Sequence, residues 1–339
     1  MANTDSNIHK LNYQKDGNFI RPDSTFRNSI SKDSNSRFPA EKGRYALYVS
    51  PGCPWAHRTL IVRALKHLED IVDLYLLGNM GPKGWEFDGA FDGVLTEDPL
   101  HPGVRYLREL YEKVEPGFSG RVTVPVLWDK KTDTIVNNES SEIIRMFYGE
   151  FDDLLPEAYR EVNRRGGGFY PQQLRSQIDD INGWVYDTVN NGVYKTGFAS
   201  TQEAYEENLY TLFESLDRLE GILAGHGKPF LLGEHLTEAD IRLYTTIARF
   251  DVAYQYVFMC NLKSIRHDYP SLHLWLRRLY WDQSDLTNGA FHRTTQPWIG
   301  KYSAGYATSR QRIVTHDSVL IIPKGPAVAI ESLRDDEKL

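Results

Sequence analysis

The sequence predicts an α/β domain followed by an all-α helical domain. Three observations predict it. Residues 44–78 read strand, turn, helix, strand, which is the opening of a parallel α/β unit. Residues 122–147 read as two short strands and a helix. After the glycine-rich break RRGGGF (164–169), every patterned segment has the period of a helix.

Residues 1–40 are polar and weakly patterned and read as a mostly irregular arm. RYALYVS (44–50) is rich in Tyr and Val and reads as a strand. PGCPW follows as punctuation, and Leu60, Ala64, Leu65 and Leu68 carry helical spacing. IVDLYLLG (71–78) is nearly continuous in apolar residues and reads as a strand buried on both faces. Residues 79–103, rich in Gly, Pro and Asp, read as a long loop, of a length that is usually functional or disordered. VRYLRELYEKV (104–114) is helical, and VTVPVLWD (122–129) with DTIVN (133–137) reads as a hairpin. NESSEIIRMF (138–147) opens with acidic and hydroxyl residues, as a helix N-terminus prefers. This β-α-β-α-β-β-α order is the thioredoxin-like pattern.

In the second half, Leu174, Ile178, Ile181, Val185 and Val189 form one helical stripe. Tyr205, Leu209, Leu212, Leu216, Leu219 and Leu223 form another. LTEADIRLYTTIARF (236–250) begins with a capping box, Thr237 with Asp240, and a further helix is expected over 270–281. The tail from 285 reads as irregular, with one apolar run, VLII (319–322). The expected domains are an arm (1–40), a thioredoxin-like domain (41–150), a linker (151–170), a helical domain (171–284) and an extension (285–339).

Composition narrows the function. Of 339 residues, 41% are hydrophobic and 25% charged, which is globular. A net charge of −7 leaves no electrostatic footprint for nucleic acid. No apolar run reaches the length of a membrane span, and MANTDSNIHK lacks the apolar core of a secretory signal. Two cysteines do not make a disulfide scaffold, so a reducing compartment, the cytoplasm, is expected. No His, Cys and acid set has metal-ligand spacing, and no metal is expected. Twenty tyrosines and seven tryptophans fit either large aromatic cores or a site for a flat ring.

The chemistry concentrates in SPGCPWAHR (50–58). Cys53 stands where a strand meets a helix, so first-turn amides and the helix dipole favour its thiolate. Pro54 takes the first helical position, where a missing N–H costs nothing. The plainer alternative is an inert cysteine near a turn. A dithiol motif would need cysteine at position 56, where this chain has Ala56. A monothiol cycle then requires an external thiol, for which glutathione is the candidate. Cys260, in VFMCN, is expected to pack in a core.

Together with GWEF (84–87), RVTVPVLWD (121–129), NESSEIIRMF, NNGVYKTGFA (190–199) and ARFDVAY (248–254), CPWAHR resembles the glutathione transferase superfamily. The resemblance is closest to its Xi class, the glutathionyl-hydroquinone reductases, and spans about residues 40–285. It implies the glutathione transferase architecture, glutathione as co-substrate, aromatic glutathionyl conjugates as partners, and a homodimer. It implies that Pro125 is a cis-proline and that the backbone of Arg121, Val122, Thr123 and Val124 pairs with the extended peptide. Glu139 and Ser140 would hold the γ-glutamyl end, Trp85 would contact glutathione, and Arg121 could meet a carboxylate. Capping, a loop anchor and a solvated surface arginine are the plainer roles of these side chains. Tyr194 would protonate the leaving ring carbon, and Tyr254 would favour the thiolate or bind the phenolic product. The tail departs from the family's tyrosine segment and reads WIGKYSAGYATSR (298–310), which leaves Tyr306, with Tyr302 as the alternative, for the third site tyrosine.

The expected reaction reduces glutathionyl-hydroquinones through a mixed disulfide on Cys53. The alternatives are an Omega-like thioltransferase or dehydroascorbate reductase, which needs Cys53 but no acid at Tyr194, and a non-catalytic interaction module that kept the fold. Glutathione conjugation is disfavoured because a Tyr or Ser would stand where this chain has Cys53.

Overall fold

All five residues of strand β1 (Tyr45–Val49) are buried, because the strand is paired on both sides. It runs parallel to β2 (Val72–Leu76) and antiparallel to β5 (Val126–Asp129), with Leu47 opposite both Leu74 and Leu127. A short antiparallel partner, β6 (Thr134–Asn137), completes a four-stranded sheet in the order β2-β1-β5-β6. The parallel β1–β2 pair requires a crossover, which helix α1 (Pro54–Leu65) supplies. The computed structural model describes residues 16–78, 80–81, 83–314 and 319–339, so the first fifteen residues of the expected arm lie outside the described residues.

Strand β2 corrects one expectation. Four of its five residues are half-buried, because β2 is an edge strand with a ladder on one side only. The expected long loop contains a small hairpin, β3 (Met80–Gly81) with β4 (Gly84–Trp85). Gly84 turns it with φ 100°, a conformation that costs glycine little. Helix α2 (Leu107–Val114) starts later than expected. The Glu109 carboxylate accepts from the N–H groups of Arg105 and Tyr106 at 3.0 and 2.9 Å, which sets the start. The β5–β6 turn forms as expected. Asp129 at its start is buried and accepts from Arg44 Nε and Nη2 at 2.8 and 2.7 Å. Helix α3 (Ser140–Gly149) packs on α1.

The described part of the arm is more ordered than its composition suggests. Asn28 N–H donates to Val136 O, and Asn138 N–H donates to Phe26 O, both at 3.0 Å. Residues 26–28 thus cover the exposed edge of β6, whose unpaired backbone groups would otherwise face water. The structure divides into two compact units: Asp23–Gly168, and Phe169–Leu339 together with the segment ending at Pro22.

The second unit is helical: α4 (Arg175–Val185), α5 (Gly192–Gly197), α6 (Gln202–His226), α7 (Glu238–Arg249), α8 (Gln255–Val257), α9 (Ile265–Asp268) and α10 (Pro270–Trp281). The leucines of the α6 stripe are buried as their spacing predicts, and Gly227 in the left-handed region ends that helix. The capping box forms: Thr237 N and Oγ1 donate to Asp240 Oδ2 at 3.0 and 3.1 Å. Two π-helical turns interrupt the bundle, Tyr186–Asn190 after α4 and Phe250–Tyr254 after α7.

The tail corrects a second expectation. It contains helices α11 (Ala290–Thr295) and α12 (Tyr302–Ile313). Its last residues are strapped to α10, where Arg277 Nη1 and Nη2 donate to the Glu337 carboxylate at 2.9 and 2.8 Å. Trp281 Nε1 donates to Glu331 O at 2.9 Å. The apolar run at 319–322 is exposed, Val319 at 85%.

Candidate active site

In the first unit the turn after β1 places the thiol. Ser50 Oγ donates to Gly78 O at 2.8 Å, and Cys53 N–H donates to Ser50 O at 3.0 Å. Cys53 becomes the N-cap of α1 with extended backbone (φ −79°, ψ 121°), and Pro54 is the first helical residue. Its exposure is 9%, and its thiol donates to Val124 O at 3.6 Å. The first-turn amides of α1 point to the end of the helix that Cys53 caps. Arg58 is buried, with Cζ 4.5 Å from the Trp55 ring centroid.

Across from the thiol runs the segment 121–125, and the Val124–Pro125 peptide is cis. Arg121 is exposed, Val122 and Thr123 are half-buried, and Val124 and Pro125 are buried. Asn138 anchors this segment. Its Nδ2 donates to Tyr111 Oη at 3.0 Å and to Thr123 Oγ1 at 3.2 Å, and its Oδ1 accepts from Phe26 N at 3.0 Å. Tyr111 Oη in turn donates to Thr123 O at 2.9 Å.

Glu139 is the N-cap of α3. Its carboxylate accepts from Ser141 N and Oγ at 3.0 and 2.8 Å and from Ser24 Oγ at 3.0 Å. The capping role of Glu139 is therefore realised, and an arm residue shares it. Trp85 Nε1 is buried and makes no hydrogen bond among the described residues. A buried donor without a partner is costly, so this indole N–H suits a polar ligand.

In the second unit three tyrosines from distant elements converge. Tyr194 stands on α5, Tyr254 ends the second π-helical turn, and Tyr306 lies on α12. Tyr306 Oη is 2.9 Å from Tyr254 Oη and 3.3 Å from Tyr194 Oη. Burial pushes the phenols of Tyr254 and Tyr306 well above their ordinary range, so both are protonated at neutral pH. Phe258 packs on all three rings.

Tyr306, not Tyr302, joins the cluster. The Tyr302 ring lies under the guanidinium of Arg249, 4.0 Å from Cζ. Burial pushes the Tyr302 phenol up, to about 12. Arg249 is fully buried and donates from Nη1 to Thr245 O at 2.8 Å. Burial pulls its guanidinium down, but the surrounding tyrosines outweigh that and hold it above its ordinary range. Cys260 is fully buried, and burial pushes its thiol up, which fits a core residue.

Sequence reasoning missed Ser24 and Phe26 beside the first constellation and Arg21 and Arg249 beside the second. Ser24, Phe26 and Arg21 sit in a segment without periodicity. Arg249 lies within ARFDVAY, where only its burial reveals it. Among the described residues, no group of three or more His, Cys, Asp and Glu side chains is arranged to hold a metal, and no helix is long and apolar enough to cross a membrane.

Residues 52–149 match the family model of the glutathione S-transferase N-terminal domain, and residues 202–278 that of the C-terminal domain. The chain is 49% identical over 328 residues to the glutathione S-transferase omega-like 2 of Schizosaccharomyces pombe, covering 96% of this chain and 99% of that protein. It is 50% identical over 271 residues to the glutathionyl-hydroquinone reductase YqjG of Escherichia coli, covering 78% and 79%. Its structure is similar to that of the glutathione-S-transferase Xi from Phanerochaete chrysosporium, with a TM-score of 0.87, 50% identity, and coverage of 97% and 99%. The Xi glutathione transferase ECM4 from Saccharomyces cerevisiae in complex with glutathione gives a TM-score of 0.84 at 40% identity, covering 94% of this chain and all (100%) of that one.

Proposed function

The chain belongs to the glutathione transferase family, in its Xi class, and we propose that it reduces glutathionyl-hydroquinones to hydroquinones at the expense of glutathione. The observation that carries the reading is Cys53 at the head of α1 with Ala56 where a resolving cysteine would stand. The similarity to a glutathionyl-hydroquinone reductase supports it. Glutathione binding is supported by the glutathione complex of a relative and by the buried Trp85 indole N–H, which has no hydrogen-bond partner among the described residues.

The Cys53 thiolate attacks the sulfur of the aromatic thioether. A sulfur–sulfur bond forms, the carbon–sulfur bond breaks, and its electron pair remains on the ring carbon. That carbon takes a proton from the Tyr194 hydroxyl, as a positioned general acid supplies it. The thiolate of a second glutathione then attacks the mixed disulfide, releasing oxidised glutathione and the Cys53 thiolate, and its proton restores the phenol. The sum is one conjugate and one glutathione converted to hydroquinone and glutathione disulfide. The backbone of Arg121, Val122, Thr123 and Val124 before Pro125 is assigned to the peptide, with Glu139, Ser140 and Trp85 to its ends. Tyr254 and Tyr306 are assigned to the phenolic ring. A homodimer and a cytoplasmic location go with this reading.

The test is turnover of glutathionyl-menadiol with excess glutathione, following menadiol and oxidised glutathione by chromatography. Loss with Cys53→Ala and a strong decrease with Tyr194→Phe are expected. The similarity to an omega-like protein favours a second reading, reduction of small glutathionyl disulfides or dehydroascorbate. Wild-type protein that reduces such disulfides but leaves the thioether intact selects it. Glutathione binding without either reaction selects a non-catalytic module.

A further inference from the structure

Arg21 lies in the segment that packs with the helical unit and ends at Pro22. Its guanidinium stacks on the Tyr194 ring, with Cζ 4.8 Å from the centroid. Nε donates to Asn191 Oδ1 at 2.7 Å. Asn191 is buried and is the N-cap of α5, the helix that carries Tyr194, so one helix holds both the ring and the anchor of the cation above it. The segment is itself pinned. Ser200 N–H donates to Gly17 O at 3.1 Å, and the buried Phe19 ring meets Phe198 edge to face at 5.5 Å.

We propose that Arg21 is a positioning residue for the proton donor, its charge over the Tyr194 ring making that phenol a stronger acid and holding it in one orientation. The inference rests on the reading of Tyr194 as the acid. When the phenol gives up its proton to the ring carbon, the negative charge that remains spreads into the ring. A cation over the ring face stabilises that charge more than it stabilises the neutral phenol. Among the described residues, the other charged and titratable groups near Tyr194 are placed differently, and Arg249 adds to the field at Tyr194 without stacking on its ring. Tyr254 and Tyr306 are neutral phenols. Arg249 stacks on Tyr302. Arg310 of α12 donates to Gly197 O at 3.3 Å. Lys195, on α5 itself, pairs with Asp187 at 2.6 Å.

Reduction of a small glutathionyl disulfide transfers no proton to carbon, so it does not need this arrangement. The experiment compares turnover of glutathionyl-menadiol with that of glutathionyl 2-hydroxyethyl disulfide across pH, for wild type, Arg21→Met, Arg21→Lys and Tyr194→Phe. With Arg21→Met, the ratio of thioether to disulfide turnover falls about tenfold, and the alkaline limb of the thioether profile moves up by about one pH unit. Arg21→Lys recovers part of both. The proposal is overturned if Arg21→Met leaves ratio and limb in place, or slows both reactions alike as a structural residue would. If Tyr194→Phe still costs thioether turnover in that case, the acid survives and the role of Arg21 alone falls. If Tyr194→Phe changes nothing, both fall.

Discussion

The hydroxyls of Tyr254 and Tyr306 meet at 2.9 Å, 52 residues apart in the chain. The contact ties the end of a π-helical turn to the last long helix, and Tyr306 extends it to Tyr194. Such turns shift which residues of a helix share a face and recur where a fold positions side chains for function.

Replacing Tyr306 with Phe removes the oxygen that both other hydroxyls use. Tyr254 Oη is then left in a fully buried place without its partner, at a cost of about 1–3 kcal/mol. Tyr302→Phe is the control. Its buried hydroxyl has no hydrogen-bond partner among the described residues, so stability changes by about 0.5 kcal/mol or less. Urea unfolding of the two variants checks the contrast, which fails if they are equally destabilised.

The two cysteines differ in reactivity. Iodoacetamide at neutral pH modifies Cys53, at the head of α1, and spares Cys260, whose thiol burial holds in its protonated form. Mass spectrometry of the intact protein shows one adduct, and none in Cys53→Ala until the protein is unfolded. Prompt labelling of Cys260 in the folded protein contradicts this.

Asn138→Leu removes a hydrogen-bond partner from three groups at once, Phe26 N–H, Tyr111 Oη and Thr123 Oγ1, of which Tyr111 Oη keeps its bond to Thr123 O. The expected loss of stability is on the order of 3 kcal/mol. Because Thr123 belongs to the backbone assigned to glutathione, KM for glutathione rises several-fold while alkylation of Cys53 proceeds as before. Unfolding and steady-state kinetics measure the two effects separately. An unchanged KM removes Asn138 from any role in the binding segment.

The C-terminal strap depends on pH through Glu337. The Arg277 guanidinium beside it, helped by the Arg334 backbone N–H, holds its carboxyl down to about 2. A carboxyl lowered on docking stabilises the docked state above its ordinary pKa and loses that contribution as pH falls toward the lowered value. Residues 331–337 therefore loosen between about pH 4.5 and 2, and Glu337→Gln loosens them at neutral pH. Hydrogen exchange of that peptide, corrected for the intrinsic rate at each pH, reads the transition. Protection that does not change with acid or with Glu337→Gln contradicts it.

Several features are legible locally. PGCPW terminates a strand and starts a helix through the conformational limits of Gly and Pro, and this alone puts Cys53 at a helix head. Thr237 and Asp240 cap their helix through bonds three residues apart. The leucine stripe of α6 and the bounds of α10 follow from the helical repeat. These are short-range effects, and the order of strands and helices they specify is enough to identify the fold.

Other features exist only once distant parts meet. The burial of β2 depended on its place in the sheet, and as an edge strand it stays half-buried despite its apolar run. The choice of Tyr306 over Tyr302 depended on which face of α12 meets the π-helical turn. Residues 26–28 of the arm became ordered by pairing with β6, and Arg21 acquired its place by stacking on Tyr194. Local bonding and periodicity are written within a few residues and could be read directly. Edge pairing, the burial of one face, and the meeting of side chains many residues apart are properties of packing, and they arise only when the chain closes on itself.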